Sequence, residues 1–181
     1  MSVTEAAGET FLYFAYGSNM LTARLKSRGV PSAKFVTVAN LEGHELRWHK
    51  KSKDLSGKCN VVSSTEVGAS VLGVVFEILA SEKSALDLAE GLNKGYVERR
   101  FELTTAQGPL VASAYVATEI DPNVVPYQWY KAHVVVGAKE HGLPAKYVEW
   151  LEATVAVRDP DRDRVEEEAM FHPNVDWAAF W

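Results

Sequence analysis

The stretch Phe11-Leu12-Tyr13-Phe14-Ala15-Tyr16-Gly17-Ser18-Asn19-Met20 decides how the rest of the chain is interpreted. Its first half is apolar and aromatic without helical spacing, which predicts a strand buried on both faces. Gly17 then allows a turn, and Ser18 or Asn19 is suited to cap a helix over Met20–Arg28. A strand, a glycine turn and a helix N-terminus leave backbone N–H groups pointing into one space, which favours carboxylates, phosphates and oxyanions. The stretch therefore predicts an anion cradle, although an ordinary strand–turn–helix connection has the same pattern.

The overall composition excludes several classes of function. The chain has 181 residues and a formal net charge of −5, which fits one domain and lacks the basic footprint of a nucleic-acid partner. No apolar run approaches the ~18–20 residues of a membrane span, and the N-terminus lacks a signal-peptide pattern. The single cysteine, Cys59, fits a reducing, cytoplasmic setting. The basic run Lys50-Lys51-Ser52-Lys53 is expected to be a solvated loop.

Alternating hydrophobic patterns predict an α+β protein with a small, mostly antiparallel or mixed β-barrel and flanking helices. The clearest elements are a hairpin over 96–117 and two helices split by Gly142-Leu143-Pro144. We expect a disordered lead-in over 1–10 and a single domain over 11–157. The tail over 158–181, polar and then aromatic, is expected to pack on the domain or on a partner subunit.

Glu90 stands out among the acidic residues. It ends the helix predicted over 82–89, follows Leu86 and Leu88, which are expected in the core, and directly precedes Gly91. A carboxylate there faces the unfavourable end of the helix dipole among apolar neighbours, and both effects favour the neutral acid that proton transfer requires. A structural or surface role is the open alternative for Glu90. Glu98 is expected on the solvent-exposed side of a strand, and the run 166–168 is expected to be solvated.

Sequence markers of other chemistries are missing. No His and carboxylate pair has metal-ligand spacing, so no metal site is expected. The nucleophile pattern Gly-x-Ser-x-Gly and the phosphate-binding glycine motifs are also absent.

Three separated stretches resemble the γ-glutamylcyclotransferase family. They are Phe11–Thr22 with its Tyr-Gly-Ser-Asn core, Leu86-Asp87-Leu88-Ala89-Glu90-Gly91, and Tyr130 through Pro144 with Tyr147. The resemblance spans about residues 11–152, and the Glu-Gly segment at this separation from Tyr-Gly-Ser-Asn makes it specific.

The resemblance implies a compact mixed β-barrel and an enzyme that releases 5-oxoproline from γ-glutamyl amino acids without a metal or organic cofactor. It also implies a small-molecule γ-glutamyl substrate and a possible homodimer. Glu90 would be the general acid/base, and Gly17 and Ser18 would offer backbone N–H groups. The other residues that would contact substrate are Tyr13, Phe14, Ala15, Tyr16, Asn19, Tyr130 and, as a weaker match, Tyr115.

Two departures from the family pattern leave questions open. The spacing from Glu90 to Tyr96 differs by about one residue, so the role of Tyr96 is undecided. The tail from Arg158 to Trp181 departs from the family pattern, which leaves open an effect on the pocket mouth or on an interface. The alternatives are a cyclotransferase for γ-glutamyl amines or a larger γ-glutamyl metabolite, and a non-catalytic module that binds a small carboxylate.

Overall fold

The computed structural model describes residues 8–172 of the chain. The seven described strands are β1 (Thr10–Ala15), β2 (Lys34–Glu42), β3 (His44–Lys51), β4 (Gly57–Ser63), β5 (Ser70–Leu79), β6 (Tyr96–Thr105) and β7 (Gly108–Ala117). The described α-helices are α1 (Thr22–Ser27), α2 (Lys83–Glu90), α3 (Gln128–Glu140), α4 (Ala145–Glu152) and α5 (Arg162–Ala169). Short 3₁₀ turns, Ser18–Met20 and Ala80–Glu82, precede α1 and α2.

Five strands close a mixed barrel in the order β1-β5-β2-β6-β7. The barrel is antiparallel except where β1 runs parallel to β7, with Tyr13 opposite Ser113. The predicted hairpin is confirmed as β6 and β7, paired from Tyr96 with Ala117 to Thr105 with Gly108. Central strand β5 pairs with β1 and with β2, so its Val74, Val75 and Phe76 are fully buried. The predicted α+β barrel with flanking helices is thereby confirmed.

Strands β3 and β4 form a separate two-stranded ribbon. A register shift between Arg47 and Lys50 bends this ribbon, and beyond the shift Lys50 pairs with Lys58. Such irregularities re-aim side chains. Beyond the shift, at the end of the ribbon that holds Lys50 and Lys58, the side chains therefore do not follow the regular alternation of faces that the sequence suggests.

Helix α3 holds the turn that follows β1. A Cβ on Gly137 of α3 would lie 2.4 Å from the backbone nitrogen of Leu21 and 2.6 Å from the carbonyl carbon of Met20. Only a residue without a side chain allows the helix to approach the Ser18–Met20 turn this closely. The packing of α3 thus fixes the position of the predicted cradle.

Several local predictions are wrong. Ser18 and Asn19 form a 3₁₀ turn and do not cap α1, which begins at Thr22 with Leu21 at its N-cap and no side-chain capping bond. Leu88 is 78% exposed, on the side of α2 opposite the buried Leu86.

At the chain ends, β1 already includes Thr10, so the predicted lead-in ends earlier than residue 10. Residues 1–7 lie outside the described residues. Within the predicted tail, the side chain of Asp161 caps α5 by accepting from the Arg164 nitrogen. The aromatic residues Trp177, Phe180 and Trp181 lie outside the described part.

Candidate active site

A cavity of about 510 Å³ lies where the segment after β1, the end of α2 and the far end of the β3–β4 ribbon come together. Its lining includes eight residues predicted for the site, namely Tyr13, Tyr16, Gly17, Ser18, Asn19, Glu90, Tyr115 and Tyr130. Phe14 and Ala15 are not in this lining; both are buried in the core, and Phe14 packs against Gly73 of β5. Successive strand residues point to opposite faces, which explains why Tyr13 lines the cavity and Phe14 does not.

Glu90 occupies the last position of α2, and its side chain is 13% exposed. Its Oε1 accepts a hydrogen bond from Asn19 Nδ2 at 2.5 Å and one from Arg28 Nη1 at 2.8 Å. The carboxylate is thus fixed in the cavity by residues from both sides of α1. Neither of these two hydrogen-bond donors could be predicted from the local sequence around Glu90.

Asn19 links the turn after β1 to the carboxylate. Its Nδ2 also lies 3.0 Å from the Tyr13 hydroxyl, and its Oδ1 is buried without a donor among the described residues. The backbone N–H groups of Gly17 and Ser18 donate to no acceptor in the described part of the chain. Gly17, Ser18 and Asn19 all line the cavity that also holds the Glu90 carboxylate.

Gly17 is required for space at this turn. Its φ of −123° lies outside the left-handed region, so the case for glycine here rests on the space around it. A Cβ here would lie 3.1 Å from the Tyr130 hydroxyl and 3.1 Å from Cys59 Cβ. The Tyr130 hydroxyl in turn accepts a bond from the Cys59 backbone nitrogen at 3.0 Å, so the turn, α3 and β4 meet at one point.

The tyrosines of the site are tied to the frame around the cavity. The Tyr16 hydroxyl donates to the backbone oxygen of Tyr115, and the Tyr115 hydroxyl donates to Asp87 at 2.5 Å. Burial raises the pKa of Tyr13, Tyr16 and Tyr115, so all three remain neutral hydroxyls. Burial also raises the pKa of the Cys59 thiol to about 12, which leaves no reactive thiolate in the cavity.

A chain of buried ion pairs and hydrogen bonds, called the ionic chain below, connects the turn at Ser18 to helix α5 in the C-terminal tail. Arg24 Nε lies 3.3 Å from Ser18 Oγ, and its guanidinium is paired with Glu168 of α5. His133 of α3 donates from Nε2 to Glu168 at 2.7 Å, because a carboxylate only accepts, and its Nδ1 then accepts from His172 at 2.6 Å. The prediction that residues 166–168 are solvated is therefore wrong for Glu168.

The basic run over 50–53 is also not simply a solvated loop, since all four residues line the cavity and Lys50 is 8% exposed. Lys58 of β4 is packed nearby, with its Nζ 4.4 Å from the Trp129 ring centroid and 2.8 Å from Asp54. Burial lowers the pKa of Lys58 to about 8, against the opposing effect of Asp54.

Sequence reasoning missed several lining residues. Arg24 and Arg28 stand four apart on and just beyond α1, and this spacing could have shown that they share a face. Tyr96, left undecided above, lines the cavity as well. The local sequence does not predict that Lys50 and Lys58 line the cavity, because their placement depends on the bend of the ribbon.

Within residues 8–172, no group of three or more His, Cys, Asp or Glu side chains is arranged to hold a metal ion. No helix of the described chain is both long enough and apolar enough to cross a bilayer.

Comparisons with known proteins show which families and structures this chain is similar to. Residues 70–151 match the AIG2-like family. The gamma-glutamylcyclotransferase of Mus musculus is 38% identical over 159 residues, covering 81% of this chain and 79% of that protein. The gamma-glutamylcyclotransferase of Homo sapiens is 37% identical over 157 residues, covering 83% and 82%. A solved structure of a gamma-glutamyl cyclotransferase superposes with a TM-score of 0.77 at 32% identity, covering 88% of this chain and 99% of that one.

Proposed function

This chain belongs to the γ-glutamylcyclotransferase family of enzymes, and from that premise we propose that it converts γ-glutamyl amino acids into 5-oxoproline and a free amino acid. The observation that carries the proposal is the Glu90 carboxylate, held by Asn19 in a cavity shared with the free amides of Gly17 and Ser18. Cyclisation of a γ-glutamyl group needs these two features together: a group that moves a proton and donors that stabilise an oxyanion.

The first step is binding of the γ-glutamyl group. The substrate ammonium is placed against Glu90 and donates to Asn19 Oδ1, which supplies the donor that this buried oxygen lacks. The γ-carbonyl oxygen accepts from the Gly17 and Ser18 amides. Amine and carbonyl belong to one molecule, so the enzyme has only to fold the substrate to bring them into reacting distance.

The second step is ring closure. Glu90 takes a proton from the ammonium, and the freed amine attacks the γ-carbonyl carbon, forming the C–N bond of the lactam. The oxygen becomes an oxyanion held by the two amides. Loss of one such donor typically costs ~2.7–4 kcal/mol of transition-state stabilisation.

The third step releases the product. Glu90 returns its proton to the departing nitrogen and the original amide bond breaks. The ring nitrogen gives up its second proton through the same carboxylate to the released amine, and 5-oxoproline and the amino acid leave. The carboxylate is regenerated, and no covalent bond to the enzyme forms. Residues Tyr13, Tyr16, Tyr115 and Tyr130 shape the cavity around the substrate.

A matched pair of isomers tests this function. The full chain is incubated with γ-glutamyl-alanine and with α-glutamyl-alanine, which has the same atoms and charges but no γ-amide. We expect 5-oxoproline and alanine in equal amounts from the γ-isomer alone, measured by mass spectrometry. Binding of the γ-isomer without 5-oxoproline would instead support the non-catalytic carboxylate-binding module.

We also propose that residues 11–157 act as one catalytic domain with the tail over 158–181 packed on it, and that the enzyme works as a homodimer in the cytoplasm. The apolar end of the tail, with Trp177, Phe180 and Trp181, supports a subunit contact. Light scattering of the full chain should give the mass of a dimer, and removal of residues 174–181 should give a monomer. A monomeric full chain contradicts this assembly.

A further inference from the structure

The cavity is strongly basic although the protein is acidic. Its lining holds two acidic residues, Glu90 and Glu119, and the seven basic residues Arg24, Arg28, Lys50, Lys51, Lys53, Lys58 and Lys94. The whole chain carries a formal charge of −5. Such concentration of one sign in a cleft attracts ligands of the opposite sign.

Four of the seven basic side chains are already paired with acids. Arg24 pairs with Glu168, Arg28 with Glu90, Lys51 with Asp121 and Lys58 with Asp54. These pairs leave little unbalanced positive charge for a ligand.

Lys50, Lys53 and Lys94 differ from these four, since no carboxylate of the described residues lies within 4 Å of their ammonium groups. Lys53 and Lys94 are exposed. Lys50 is 8% exposed, and its pKa is lowered by burial, the largest effect, against the charges of Glu119, Asp54 and Glu90. A buried ammonium that lacks a direct ion pair is unfavourable, so this site is suited to a ligand that brings a carboxylate into contact with it.

The Lys50 ammonium group has close neighbours in the protein. Its Nζ lies 4.9 Å from the centroid of the Tyr96 ring. Next to it Gly95 has a φ of +117°, and a Cβ there would lie 3.4 Å from the Lys50 Nζ. The backbone of Lys50 is paired with that of Ile120. The ammonium therefore lies beside the Tyr96 ring and the Gly95 backbone in the wall of the cavity.

We propose that Lys50, with Lys53 and Lys94, is a carboxylate subsite that makes the enzyme selective for γ-glutamyl dipeptides whose released amino acid has an acidic side chain. Every γ-glutamyl amino acid carries two carboxylates, and an acidic leaving residue adds a third. Three carboxylates match the three basic side chains that lack an acidic partner. This inference rests on the proposed function and specifies its substrate class.

The test uses two substrates of nearly equal shape, γ-glutamyl-glutamate and γ-glutamyl-glutamine, which differ by one charge. In the unmodified enzyme we expect kcat/KM to be at least roughly tenfold higher for the acidic substrate, as for a hydrogen bond to a charged group. The difference should lie mainly in KM and should shrink as ionic strength rises.

Variants at three positions separate the subsite from general effects. Lys50→Met should bring the ratio of the two kcat/KM values close to one by raising KM more for γ-glutamyl-glutamate than for γ-glutamyl-glutamine, and Lys50→Arg should keep the preference. Glu119→Gln removes the nearby competing carboxylate and should increase the ratio. Lys146→Met, an exposed change of equal charge on α4 outside the cavity, should leave it unchanged.

Equal kcat/KM for the two substrates in the unmodified enzyme overturns the subsite while leaving the proposed function intact. An equal loss for both substrates in Lys50→Met also overturns it. Failure of both substrates to give 5-oxoproline overturns the proposed function and the subsite together.

Discussion

The side-chain nitrogen of Asn19 lies 2.5 Å from Oε1 of Glu90, although 71 residues separate them in the chain. This contact joins the turn after β1 to the end of α2. It brings the proposed proton carrier to the same wall of the cavity as the free amides of Gly17 and Ser18.

Asn19→Ala is expected to lower kcat by roughly tenfold or more, because Glu90 loses one of its two hydrogen-bond donors and a bond to a charged group is worth about 1.5–3 kcal/mol. Steady-state kinetics with γ-glutamyl-alanine measures the change. The control is Asn123→Ala in the exposed turn after Asp121. A kcat equal to that of the control would mean that the Asn19 contact does not position Glu90.

Gly17→Ala is expected to lower kcat/KM by at least ~10-fold, because the added Cβ pushes against Tyr130 and Cys59 and small misplacements of the site are costly. Gly43→Ala is the matched control. Gly43 has a φ of +67° and open space around it, so this change strains the backbone without crowding the cavity. We expect Gly43→Ala to reduce stability but not turnover per folded molecule. Equal activity of the two variants contradicts the steric role of Gly17.

Glu168→Gln should destabilise the fold by about 3 kcal/mol, because it leaves the buried Arg24 guanidinium without its counter-charge. Urea unfolding followed by fluorescence measures the loss. Glu166→Gln, an exposed change two residues earlier in α5, should cost less than about 0.5 kcal/mol. If both variants unfold at the same urea concentration, the ionic chain from Ser18 to α5 does not stabilise the protein.

Stability should decrease as the pH falls from about 6.5 to about 4. Burial lowers the pKa of His133 to about 4, from an ordinary value of 6.5, so in this range the unfolded chain takes up a proton that the folded chain does not. The free energy of unfolding therefore drops by about 3 kcal/mol from this residue, and His172, whose pKa is also lowered by burial, adds to the effect. Urea unfolding at several pH values should show a shallower slope for His133→Gln. An unchanged slope in that variant would assign the pH dependence to other groups.

Local patterns in the sequence predict much of this architecture correctly. The β6–β7 hairpin, helix α3 and the position of Glu90 at the end of α2 follow from periodicity and turn residues, which act over a few positions. The predicted site residues that the structure does not bring to the cavity, Phe14 and Ala15, lie in a strand that is buried on both faces. When every residue of a motif is assigned to the site, the residues that face the cavity are not distinguished from those that face the core.

Long-range placement could not be predicted in this way. Glu168 belongs to a run of three glutamates that is typical of a solvated helix face, and its burial depends on contacts with Arg24, 144 positions away, and with His133. Lys50 enters the cavity because the ribbon changes register before it. Both cases depend on how distant segments pack, which no local pattern encodes.

The central claim is that Glu90 carries the proton in ring closure, and Glu90→Gln tests it most directly. The control is Glu102→Gln, a change at an exposed position of β6. The account predicts a folded variant that still binds γ-glutamyl-alanine, by calorimetry, while kcat falls at least ~100-fold. Turnover close to that of the control would contradict it.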